Sequence, residues 1–121
     1  MRQAILSVIG LSIVLPLTTQ AHHSAAAFDR SHPVTMTGTV KQFIWSNPHT
    51  WVKLLVPNGK GGEDEYMLEG PPLGMMASKG WNGKTLKTGD KVRMLVAPYK
   101  DGTKRGEFMV VRNDKGEVLK F

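Results

Sequence analysis

Four histidines are the residues of this chain best placed to do chemistry, and two of them are adjacent: His22, His23, His32 and His49. If the chain is cut after Ala21, His22 becomes the first residue. Its free α-amine and its ring nitrogen can then chelate one metal ion. An α-amine titrates near about 8 and an imidazole near about 6.5, so both shed protons readily around neutrality. A nitrogen-rich, roughly planar donor set of this kind favours Cu(II). If the cut falls one residue earlier, the chain starts Ala21-His22-His23, and a histidine at the third position can wrap Cu(II) or Ni(II) together with the amine and the intervening amides. His49, or else His32, can supply a further nitrogen. The candidate metal set is therefore His22, His23 and His49, with copper the implied ion.

Methionine adds a softer donor. Seven occur, and thioethers suit Cu(I). Strand alternation assigns Met36, Met94 and Met109 to the core, where methionine usually serves as filler. Only the adjacent Met75 and Met76 are expected to project together. A second constellation surrounds His49: Asn47, Trp51 and Glu69 are expected to gather at one end of the fold as a small polar pocket. Acid–base catalysis there requires His49 and Glu69 within hydrogen-bond reach.

Much else is excluded. The chain has no cysteine, so it carries no thiolate metal site, cysteine nucleophile or disulfide. There is no serine elbow and no close acidic dyad, and Gly59-Lys60-Gly61-Gly62 lacks the frame of a phosphate loop. No residue is assigned a catalytic role, and a binding protein is expected rather than an enzyme. The 121 residues suffice for one domain. The formal charge of +6 points to a solvated cationic surface with affinity for anionic partners. Aromatic interleaving for base stacking is not evident, so nucleic acid is not the expected partner.

The elements that must position these residues read as short strands. Met1–Ala21 has the build of an export signal: Arg2, the apolar run Ala4–Leu17, and small residues at Thr19 and Ala21. The run is shorter than the roughly 20 residues of a spanning helix. A signal of this length suits bacterial export, so the expected location is the periplasm or the exterior. Residues 22–32 are alanine-rich and polar and are expected to form a flexible segment; residues 33–121 form the domain. A first strand begins at Pro33. Its apolar phase is even at Met36 and Val40 but odd at Phe43 and Trp45, the mark of a β-bulge. Ser46-Asn47-Pro48-His49 is a turn. Strands follow at Thr50–Val56 and Glu65–Glu69, then a short helix at Leu73–Lys79 entered through Pro71-Pro72 and closed by Gly80. Further strands occupy Lys91–Tyr99, Phe108–Arg112 and Val118–Phe121. Three strands, a helix and two or three strands predict an all-β fold with one short helix: a small OB-fold-like Greek-key barrel of five to six strands.

Taken in order, Ala21-His22-His23-Ser24, Val34–Val40, Ser46–Trp51, Leu68-Glu69-Gly70, Gly80-Trp81, Leu86–Val92 and Lys100-Asp101-Gly102 resemble a family of small exported bacterial proteins known as domain of unknown function 6152. The resemblance implies an exported single-domain β protein and brings neither an activity nor a site. The residues themselves point to a non-catalytic binding protein that takes copper through the mature N-terminal histidines. The alternative is an OB-type module that binds an anionic envelope ligand or a protein partner through its barrel face.

Overall fold

The computed structural model describes residues 23–121. Strand β1 (Val34–Ile44) is the longest element and organises the rest. It pairs antiparallel with β2 (Trp51–Pro57) on one side and with β4 (Lys91–Pro98) on the other. Its register against β2 slips between Val40 and Gln42, so the bulge expected from the change of apolar phase is present. The slip lets one strand serve two neighbours while bending around the core. Gly38 permits the tight curve: a Cβ there would stand 2.3 Å from the carbonyl oxygen of Leu55.

β3 (Glu63–Glu69) continues antiparallel from β2, and β5 (Arg105–Arg112) from β4. The sheet order is β3-β2-β1-β4-β5-β6, with β6 (Val118–Leu119) on the outside. β3 and β5 also pair, in parallel, through Met67–Arg105, Leu68–Gly106 and Glu69–Glu107. That pairing closes five strands into a barrel and removes the edges that an open sheet would expose. A helix lies between β3 and β4, as in an OB-type Greek key. This is α2 (Leu73–Ala77), one turn and a half rather than two.

Alternation fills the barrel. Val40, Val52, Leu54, Leu68, Met94, Val96 and Val111 are fully buried, with Phe108 at 1% exposure. Each such side chain contributes roughly 1.5–3 kcal/mol relative to an exposed one. Met76 of α2 plugs one end, and Trp81 and Leu86 cover the core beside it. Edge-to-face rings connect Phe43, Trp81, Phe121 and Phe108 at centroid spacings of 5.5–5.9 Å. The Trp81 indole donates to the Lys120 carbonyl at 2.8 Å, so its polar tip is satisfied.

The described part of the segment over residues 22–32 packs against the barrel. Helix α1 (His23–Ala27) leads into Phe28, which is only 5% exposed and forms a β-bridge with Tyr99. The two rings meet edge to face at 5.0 Å. Asp29 N–H donates to the Pro98 carbonyl, and Lys100 N–H to that of Ala27. One aromatic anchor and two backbone bonds turn residues 27–30 into a strap across β4 and β5. Residues 1–22, including the signal expected over Met1–Ala21 and the ligand expected at His22, lie outside the described residues. Among the described residues no helix is long and apolar enough to cross a membrane.

Candidate functional site

The loop between β1 and β2 carries Ser46, Asn47, Pro48 and His49, with a cis peptide between Asn47 and Pro48. Thr50 fastens this loop to the segment leaving β3. It is fully buried. Its N–H and its hydroxyl both reach the Pro71 carbonyl, at 3.2 and 2.8 Å, and its own carbonyl accepts from Gly70 N–H at 2.8 Å. Ser46 Oγ caps the turn from the other side by donating to the His49 carbonyl at 2.9 Å. His49 is thereby held against the end of β3.

The ring of His49 is oriented by two acceptors. Nδ1 lies 3.1 Å from Glu69 Oε1 and 3.2 Å from the Gly70 carbonyl oxygen. A carbonyl can only accept, so Nδ1 carries a proton. Nε2 then holds the lone pair of the neutral ring, and it has no hydrogen-bond partner among the described residues. A histidine whose one nitrogen is tied to a carboxylate and whose other is free has the arrangement that protein metal ligands commonly adopt. The same arrangement suits a general base.

Glu69 is 7% exposed. It reaches the outer wall of the barrel because its register neighbour Leu68 points inward. Trp51 is its direct cross-strand partner, so the two share that outer wall, with Trp51 half-buried. Glu107 stands beside Glu69 in the parallel β3–β5 register. Two carboxylates side by side repel, and the strap supplies the counter-charge. Arg30 binds Glu107 in a two-pronged contact, Nε to Oε2 at 2.7 Å and Nη2 to Oε1 at 3.0 Å. The hydrogen bonds and charge of Glu107 hold the Arg30 guanidinium above its ordinary value, and the charge of Glu69 adds to this.

Three of these groups border a cavity of about 340 Å³. His49, Arg30 and Glu107 supply its polar wall, Met75 and Met109 its thioethers, and Gly70, Pro71, Pro72, Phe108 and Phe121 the rest. The structure thus brings His49 and Glu69 together and puts Trp51 beside Glu69. Asn47 is exposed on its turn and makes no hydrogen bond to the other three. His32 is remote in role: it folds back on Asp29, whose oxygen lies 3.0 Å from its Nδ1. That bond, first among several, holds the Asp29 carboxyl below the usual range. His23 opens α1, but its side chain is not described, so the structure says nothing of a cluster of His22, His23 and His49. Among the described residues no three histidine or carboxylate side chains converge as a metal cage.

Two expectations for methionine are corrected. Met109 is not in the core but 37% exposed, because the β4–β5 register shifts between Leu95 and Val96, opposite Phe108 and Val110. Met75 and Met76 diverge: Met76 is fully buried, with its sulfur 3.1 Å from Thr50 Oγ1, and Met75 is 59% exposed. The sequence alone does not place Arg30, Glu107 or Met109 in a site. Only the acid-base pair Arg30 and Glu107 left a trace in the sequence, as two charges 77 positions apart.

Residues 11–108 match the family of unknown function DUF6152. The chain belongs to that family. No curated protein and no solved structure matches the chain. Membership in DUF6152 names no activity, so the role of the cavity rests on its chemistry.

Proposed function

We propose that this DUF6152 protein is an exported, non-catalytic copper-binding protein, with His49 as the barrel's own ligand and His22 and His23 as the ligands of the mature N-terminus. The observation that carries the reading is the pair of acceptor oxygens at His49 Nδ1, Glu69 Oε1 at 3.1 Å and the Gly70 carbonyl at 3.2 Å. Glu69 and the Gly70 carbonyl occupy that nitrogen and leave Nε2 as a donor at the edge of a cavity. A second feature supports it. Arg30 borders the same cavity and is pinned there by Glu107, so the chain preceding it starts from the wall that carries His49. The His49–Glu69 contact also meets the geometric condition for acid–base work. Metal binding is favoured because the other donors on the cavity wall are thioethers, and the nearby cation and carboxylate are spent on one another. Cu(II) titration of the processed protein, followed by intact mass, tests the reading. One equivalent is expected, with affinity lost when His22 and His23 are both replaced by alanine. Unchanged affinity in that variant sinks the N-terminal site.

A second reading has its own observation. Arg93 and Arg112 are directly opposite on β4 and β5, on the outer face that also presents Thr37 of β1. Like charges so placed destabilise a sheet. With Lys91 they line a depression of about 320 Å³ that includes Asn113 and Asp114. None of the three cations has a carboxylate within 4.0 Å among the described residues. An anionic envelope ligand on this face would relieve the repulsion. It predicts salt-sensitive binding to anionic envelope fragments that survives replacement of His22 and His23 and is lost in the Arg93→Ala, Arg112→Ala variant.

A further inference from the structure

The geometry points to a site for monovalent copper, formed by His49 Nε2 and the thioethers of Met75 and Met109. It rests on the reading of His49 as a metal ligand but uses different partners and a different oxidation state from the N-terminal chelate.

Exposure is the first argument. The large apolar side chains that the described residues leave exposed are Val34, Val118 and two methionines, Met75 at 59% and Met109 at 37%. Both methionines border one cavity, and it is the cavity of His49. They arrive there from unrelated elements, Met75 from α2 and Met109 from β5. The buried Met76 anchors the short helix that presents Met75.

Donor chemistry is the second. One imidazole nitrogen and two thioether sulfurs form a soft, neutral donor set, which selects Cu(I) over hard divalent ions. Methionine is unbranched and rotates about three bonds, so two exposed thioethers can close on an ion that a rigid cage would have to be built around. Charge balance is the third. Arg30 and Glu107 neutralise each other on the wall. The remaining carboxylate, Glu69, sits behind the imidazole and raises its basicity as a ligand. A single positive charge is then compensated through His49 rather than by direct contact. Phe108, Phe121 and Pro71 give the cavity an apolar side.

The probe is Ag(I), a soft monovalent ion that does not change oxidation state, titrated into the processed full chain whose methionine methyl groups are labelled with carbon-13. One equivalent is expected to bind. The methyl signals of Met75 and Met109 are expected to move while those of the buried Met36, Met76 and Met94 hold still. The Met75→Leu, Met109→Leu variant conserves volume at exposed positions, and an unchanged melting temperature confirms that it folds. Its Ag(I) affinity is expected to fall at least tenfold while Cu(II) affinity stays at the parent value; His49→Gln is expected to lose Ag(I) as well. Parent-like Ag(I) affinity in either variant, or unmoved Met75 and Met109 signals, overturns the site. Failure of the N-terminal copper reading shows separately, as Cu(II) affinity that ignores the loss of His22 and His23.

Discussion

Gly70 is the point at which the fold and the site depend on the same atoms, so Gly70→Ala is the most informative single change. A Cβ at this position would stand 2.1 Å from Phe108 Cζ, 2.5 Å from Phe108 Cε1 and 2.5 Å from Thr50 Oγ1. Carbon atoms in contact normally rest about 3.5–4.0 Å apart. Neither neighbour can retreat cheaply. Phe108 is 1% exposed and braced edge-on by Phe121 at 5.5 Å, and Thr50 is fully buried with its hydroxyl engaged to Pro71. Overpacking a dense core costs about 1–3 kcal/mol, and three contacts this short place the variant at the upper end, about 3 kcal/mol. For a domain of about 100 residues that lowers the melting temperature by roughly 12–24 °C. Circular dichroism on thermal unfolding reads it. Phe108→Leu removes the nearest atoms, so the double variant is expected to recover about 1 kcal/mol or more relative to the sum of the single losses. The backbone shift also pulls the Gly70 carbonyl from His49, so metal affinity should fall with stability. A melting point within about 3 °C of the parent, or simple additivity with Phe108→Leu, refutes the packing argument.

Other consequences are nearer the surface. Gly74→Ala in α2 meets nothing within 4 Å, so it is expected to stabilise the protein by about 0.4–1 kcal/mol, measured as a raised urea midpoint at unchanged slope. Glu69→Gln keeps an acceptor for His49 but removes its charge, and should lower Ag(I) affinity about 10–100-fold with the fold intact; full affinity would show that the carboxylate is not coupled to the ligand. The carboxyls of Asp29, Asp64, Glu65 and Asp101 are held below their ordinary values of 3.8 and 4.5, first by hydrogen bonds from His32, Lys104, Lys41 and Thr103 respectively. Folded values below unfolded ones give stability that is complete above the unfolded range and lost as pH falls through the folded values. The urea midpoint should therefore be flat from neutrality to about pH 5.5 and decline below about pH 4; a midpoint that rises on acidification contradicts the assignment.

The barrel was legible because its strands alternate. The even-to-odd shift between Val40 and Phe43 locates the first bulge, and the gathering of His49, Trp51 and Glu69 at one end of the fold follows from their places at the ends of neighbouring strands. The run Phe108-Met109-Val110-Val111 is apolar at every position, so the core place that alternation gives Met109 has no polar neighbour to check it, and the β4–β5 register shift that turns Met109 outward leaves no trace. The strap was hidden for a related reason. Phe28 is the lone aromatic in an alanine-rich stretch, and its partner Tyr99 lies far along the chain. Contacts such as Arg30–Glu107 exist only after the barrel has closed, because β3 and β5 meet in parallel at that point.

The central claim is that His49 offers Nε2 to a soft metal while Glu69 and Gly70 hold the proton on Nδ1. Long-range proton–nitrogen NMR of the imidazole ring, recorded at about pH 8, above the ordinary imidazole range, with and without one equivalent of Ag(I), tests it directly. The account predicts a protonated Nδ1, an unprotonated Nε2, and a shift of the Nε2 resonance when Ag(I) is added. A proton on Nε2, or an Nε2 resonance that Ag(I) leaves in place, contradicts it.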